Sequence, residues 1–190
     1  VVVTGSGRAF CAGMDLTAEG NVFGLDESLT PVLSDMEDLD DPGLARVRDT
    51  GGRVALAIHA CRKPVIAAIN GAAVGIGATM TLPMDARLVS TKGRIGFVFG
   101  RIGITPEATS SWFLPRIVGM PAALDLVYSA NIIDAERALE VGLVRSVHEP
   151  EELLDAAIAL ADRQGLEIPA SWQGRSAADV PGASDGEIAQ

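Results

Sequence analysis

The chain reads as an α/β protein built on parallel β–α units. Three observations predict this: short apolar runs alternate with segments of helical period, the longest uncharged run is punctuated by glycine, and large side chains are scarce. Of 190 residues, 48% are hydrophobic, 21 are glycine and only 4% are aromatic, which suits one globular domain with a core of small residues.

Taken in order, Val1 to Thr4 is a strand apolar enough to want neighbours on both sides. The chain begins inside this strand without a methionine, so N-terminal strands are expected to be missing. Gly5 to Leu16 follows as a glycine-punctuated loop containing Ala9, Cys11, Ala12, Gly13 and Met14. Thr17 to Thr50 carries nine acidic residues against Arg46 and Arg48, the signature of a solvated surface excursion. Order returns near Arg53, where Val54, Ile58 and Cys61 recur at helical spacing.

Between Lys63 and Asp85 no side chain is charged. Val65 to Ile69 reads as a buried strand, Asn70-Gly71 as a turn, and Gly75-Ile76-Gly77 as the start of a helix. A membrane span is excluded by Asn70, Pro83, the glycines and the threonines. Ala86 to Ser90 and Arg94 to Phe99 read as strands joined by a turn at Thr91-Lys92-Gly93. Thr105 and Pro106 fit the N-cap and first position of a helix, which would set Glu107 in its first turn. Met120-Pro121 opens a further helix with Leu124, Val127 and Tyr128 on one face. Asp134 caps a short helix that Gly142 ends, and Val144 to Val147 is a strand. Pro150 to Arg163 is amphipathic through Leu153, Leu154, Ala157 and Ile158. The core domain therefore covers residues 1–165, and residues 166–190, rich in Gly, Ser, Ala and Asp, read as a flexible tail.

Charge and cysteine usage narrow the function. Fifteen basic and 25 acidic residues give a net charge of −10, which repels nucleic acid and anionic membranes. Cys11 and Cys61 have neither metal nor redox spacing, and no signal peptide is present, so a reducing cytoplasm is expected. No metal-ligating cluster, Walker loop, HExxH or Gly-x-Ser-x-Gly pattern occurs. His59 and His148 read as structural.

What chemistry there is lies in backbone and carboxylate. Two glycine loops, one ending at Met14-Asp15 and one at Gly75-Ile76-Gly77, can each present an N–H donor. A pair of such donors aimed at one oxygen is an oxyanion hole, worth about 3 to 4 kcal/mol per donor. Glu107 is the carboxylate best placed to act as a base, although a first-turn acid is favourable for dipole reasons alone. Asp15 and Asp85 close the two motifs and are expected to bond backbone amides.

The run from Val1 through Phe10-Cys11-Ala12-Gly13-Met14-Asp15-Leu16, with Lys63-Pro64-Val65 through Gly75-Ile76-Gly77, resembles the crotonase superfamily, the enoyl-CoA hydratase/isomerase group. The likeness continues through Gly103 to Gly119 and Ala135 to Val147. It implies a spiral of ββα repeats assembled as homotrimers or hexamers, and an acyl-CoA thioester as substrate, coenzyme A entering as part of that substrate with no separate cofactor. The backbone amides of Met14 and Ile76 become the oxyanion hole. Ala9, Cys11 and Ala12 lie near the adenine end of the coenzyme, and Gly75 and Gly77 lie beside the thioester.

Family hydratases use two glutamates, and those positions are here Thr79 and Phe99. What remains resembles the single-glutamate enoyl-CoA isomerases, with Glu107 shifting a double bond while Phe99 and Trp112 keep water away. A hydratase with an unplaced second base, and a non-catalytic acyl-CoA-binding subunit, stay open. Arg53, Arg62 and Lys63 are candidates to replace the lysine that relatives carry after the first motif, but a solvated surface role is expected of each.

Overall fold

A computed structural model describes residues 1–15, 28 and 49–165. The expectations for most of residues 17–50 and for the tail at 166–190 fall outside those residues.

Two four-stranded sheets share the strands, the first six alternating between them. The first holds β1 (Val2–Thr4), β3 (Ile66–Ile69), β5 (Ala86–Ser90) and β8 (Ser146–His148), all parallel. The second holds β2 (Ala9–Cys11), β4 (Ala72–Val74), β6 (Arg94–Gly96) and β7 (Ile132–Asp134), parallel except for the β6–β7 pair. Each of the first three ββ pairs thus gives one strand to each sheet before a helix follows, the expected ββα spiral, while the last two strands also divide between the sheets but have a helix between them.

The helices are α1 (Thr50–Ala60), α2 (Ile76–Thr79), α3 (Phe99–Ile102), α4 (Ser110–Val118), α5 (Met120–Ser129), α6 (Ala135–Glu140) and α7 (Leu153–Gly165). The uniformly apolar β3 is explained by burial on both faces. Ala67 and Ile69 point into the main core with Phe10, Val89, Ile95 and Phe97, while Ile66 and Ala68 point at Leu153, Ala157 and Leu160 of α7.

Local polar staples hold the glycine loops. Asn70 accepts from the Gly5 N–H at 3.0 Å and donates to the Gly7 carbonyl at 2.7 Å, tying the β1–β2 loop to the end of β3. Asp85 accepts from the Val65 N–H at 2.8 Å, as expected of it. Arg87 donates from Nε to the Leu143 carbonyl at 2.8 Å and from one guanidinium nitrogen to those of Met84 at 2.7 Å and Thr81 at 3.1 Å.

Several expectations are corrected. The β6 strand stops at Gly96, and Phe99 opens α3 instead of ending a strand. The last strand is Ser146–His148, not Val144 to Val147: Val144 turns back to bond the Ala138 carbonyl and is buried in the main core. On α5 the buried residues are Ala123 and Leu126, and Leu124 and Tyr128 face outward, Tyr128 being 79% exposed. On α7, Leu154 and Ile158 are likewise exposed, whereas Leu153, Ala157 and Leu160 are buried.

Candidate active site

The two glycine loops meet. Gly13 has φ +105° and Gly75 φ +57°, conformations that an L side chain rarely adopts, and a Cβ on Gly75 would stand 4.0 Å from the Gly13 Cα. Met14 and Ile76 follow these glycines directly. Gly75 is the N-cap of α2 and donates its own amide to the Gly96 carbonyl at 3.0 Å, so Ile76 begins the turn. The leading N–H groups of a helical turn have no partner within it. The α2 helix is only four residues long and continues as tight turns through Met84, so its dipole is small and individual donors matter more.

Glu107 is not in a helix. Ala108 and Thr109, with φ of +52° and +58°, turn the chain through left-handed backbone, and α4 starts only at Ser110. Two such non-glycine residues cost of order 1 to 3 kcal/mol each. The expected cap at Thr105 and Pro106 is thereby replaced: the Ser110 hydroxyl and N–H donate to the Glu107 carbonyl at 2.6 and 3.0 Å.

The strained corner turns the Glu107 side chain inward. The Thr79 hydroxyl donates to its Oε1 at 3.3 Å, and a Cβ at Gly51 would lie 2.6 Å from its Oε2 and 2.7 Å from the Ile76 Cδ1. Glu107 and Ile76 are therefore neighbours across the first turn of α1. Burial, and secondarily the Asp49 carboxylate bonded beside it, lift the Glu107 pKa from 4.5 to about 7, with the Thr79 hydroxyl opposing.

Asp49 is the site residue that the sequence reading missed. It caps α1, its Oδ2 accepting from the Gly52 N–H at 3.1 Å, and that oxygen lies 2.9 Å from the point where a Gly51 Cβ would be. An Asp directly before Thr50-Gly51-Gly52 and an apolar period is a helix-start signal that could have found it.

The remaining candidates divide. Gly77 packs against the Cys11 backbone, and Cys11 and Ala9 are half-buried in β2 while Ala12 is exposed. Cys11 and Cys61 are free thiols. Phe99 is only 2% exposed and belongs to the main core, so it does not form an open wall of the site. Trp112 is 58% exposed with the Arg116 guanidinium 3.3 Å from its ring centroid, on the outer side of α4. Arg53, Arg62 and Lys63 are exposed. His59 packs edge-on against Phe113, and His148 bonds the Ser146 hydroxyl at 2.7 Å. Among the described residues no group of three or more His, Cys, Asp or Glu could hold a metal ion, and no helix is long and apolar enough to cross a membrane.

Comparison with known proteins agrees with this architecture. The family model described as enoyl-CoA hydratase/isomerase matches residues 1–174. An enoyl-CoA hydratase of Alternaria alternata, ACTT3, is 43% identical over 152 residues, covering 79% of this chain and 45% of that protein. The crotonyl-CoA hydratase of Syntrophomonas wolfei is 36% identical over 164 residues, covering 86% and 56%. The chain spans about half the length of the curated relatives it matches. Among solved structures, Pseudomonas aeruginosa DspI superimposes with a TM-score of 0.71 at 30% identity, covering 90% of this chain and 59% of that one. A Mycobacterium abscessus protein described as a probable enoyl-CoA hydratase/isomerase gives 0.67 at 30% identity, covering 86% and 57%.

Proposed function

The chain belongs to the enoyl-CoA hydratase/isomerase family, within the crotonase superfamily, and on that premise we propose that it moves a proton at the carbon beside an acyl-CoA thioester. In this reading the N–H groups of Met14 and Ile76 hold the thioester oxygen. The Glu107 carboxylate takes a proton from C2 of a 3-enoyl thioester, and the C–H electrons pass into a dienolate whose charge rests on that oxygen. The same carboxyl then returns the proton at C4, leaving the double bond between C2 and C3. Coenzyme A enters only as part of the substrate.

The observation that carries the proposal is the Glu107 carboxyl turned in against Ile76 with its pKa lifted to about 7. An acid that must accept and then give back one proton works best when its pKa is near the working pH.

A second reading, water addition to a 2-enoyl thioester, is favoured by the Asp49 carboxylate beside Glu107, because hydration is served by two carboxyl groups. Relatives named as hydratases point the same way. A spectroscopic assay on 3-enoyl-CoA and 2-enoyl-CoA separates the two. Isomerisation of the 3-enoyl form, abolished in Glu107→Ala, is the expected result. Hydration of the 2-enoyl form that survives this substitution would overturn the role of Glu107.

With this activity goes a homotrimer or hexamer, supported by the outward apolar face of Met120, Leu124 and Tyr128 on α5. Light scattering on the purified protein tests it.

A further inference from the structure

We infer that Asp49 is a positioning residue for Glu107: its carboxylate shares the Glu107 proton and so sets the pH at which that acid exchanges one. The inference rests on Glu107 being the proton carrier proposed above, and it deepens that reading.

The geometry comes from two fixed corners. On one side Asp49 is locked as a helix cap, with extended backbone (φ −61°, ψ 158°), its Oδ2 accepting from the Gly52 N–H and its carbonyl from the Arg53 N–H at 3.1 Å. On the other side Glu107 is locked by the left-handed pair Ala108 and Thr109 and by Ser110. The missing side chain of Gly51 lets the two acids meet, since a Cβ there would lie within 3 Å of an oxygen from each. A side chain at that position would force them apart.

Two carboxylates at this range cannot both be ionised cheaply, and one keeps a proton that the other accepts as a hydrogen bond. The elements packed on Glu107 bring few other groups. The α2 turn supplies the Thr79 hydroxyl and the Ile76 methyl, and α4 supplies the Ser110 hydroxyl, spent on the Glu107 carbonyl. Asp49 is the charged group that acts on Glu107 among the described residues. Burial alone also disfavours the Glu107 anion, so the Asp49 contribution has to be isolated by removing its charge while keeping its cap.

Asp49→Asn does this, because asparagine caps a helix about as well as aspartate. In the full chain, the Glu107 carboxyl is followed by carbon-13 NMR and kcat/KM is measured across pH with 3-enoyl-CoA and 2-enoyl-CoA. The expected result is a Glu107 midpoint lowered by about one pH unit or more, the acidic limb of kcat/KM moving with it, and KM changed less than about twofold. An unmoved midpoint in a folded Asp49→Asn protein would overturn the inference. Asp49→Ser, a second uncharged cap, serves if the asparagine variant does not fold. The NMR midpoint reads the carboxyl pair whether or not turnover depends on Glu107. Full activity in Glu107→Gln therefore condemns the base assignment alone, and an unshifted midpoint condemns the Asp49 assignment alone.

Discussion

The Cys11 backbone and Gly77 touch so closely that a Cβ on the glycine would stand 2.8 Å from the Cys11 carbonyl carbon and closer still to its oxygen. That contact seats the α2 turn, and with it Ile76, on β2. Gly77→Ala pushes against backbone, which cannot rotate away. Urea denaturation should show a loss of about 2 to 4 kcal/mol. A loss below about 1 kcal/mol would mean the two segments are not seated as described.

Glu107→Gln keeps the shape of the side chain and removes its proton chemistry. Turnover should fall by about 10²- to 10⁴-fold, the usual scale for general acid–base catalysis, while the Kd for an acyl-CoA by calorimetry changes by less than about threefold. Equal losses in binding and turnover would instead make Glu107 a binding group.

The raised Glu107 pKa also has a thermodynamic consequence. Folded protein holds this proton up to about pH 7, and the unfolded chain releases it near 4.5. The folded state's preference for the neutral acid is therefore fully present below pH 4.5 and is lost as pH rises through 7. Because the group is about half exposed, solvent screening reduces its share to about 1 to 2 kcal/mol. Glu107→Gln should remove this share, so the stability lost between pH 5 and pH 8 is smaller in the variant than in the parent. Identical pH dependence in the two proteins by urea denaturation would contradict the half-buried position of the carboxyl.

Arg87 satisfies carbonyls from the α2–β5 connection and from Leu143 before β8. Desolvation by burial pulls its pKa below the ordinary arginine value, with Asp85 acting against that pull. Arg87→Met leaves these carbonyls without their donor, and a loss of about 2 to 4 kcal/mol is expected. Thermal melts of Arg87→Met and Arg87→Lys test it: the lysine variant, with one compact donor head, should recover only part of the loss.

Much of this fold was legible because its signals are local. Ala86–Ser90 is a short run bounded by a turn, Asp134 caps α6 and accepts from the Arg137 N–H at 2.9 Å, and Gly142 takes the left-handed φ of +74° beyond the helix end. The inward face of α5 was not legible, and that of α7 only in part, Leu153 and Ala157 being buried but Leu154 and Ile158 exposed. Leu124 and Ala123 differ in hydropathy in the direction opposite to their burial, since close helix approach favours the smaller side chain. The corner at Ala108 and Thr109 was hidden as well, because neither residue type prefers left-handed backbone.

Read alone, the chain determined its alternation of strands and helices, the two glycine loops and Glu107 as a candidate carboxylate, because each is written in neighbouring residues, whereas the ββα repeat followed from the family resemblance. Only the tertiary structure decided that Glu107 leaves the helix path, lies against Ile76 and Thr79, and has Asp49 for a companion. The proton affinity of a carboxyl depends on the charge and water around it in space, and residues 49 and 107 become neighbours only when α1 packs over the α2 turn.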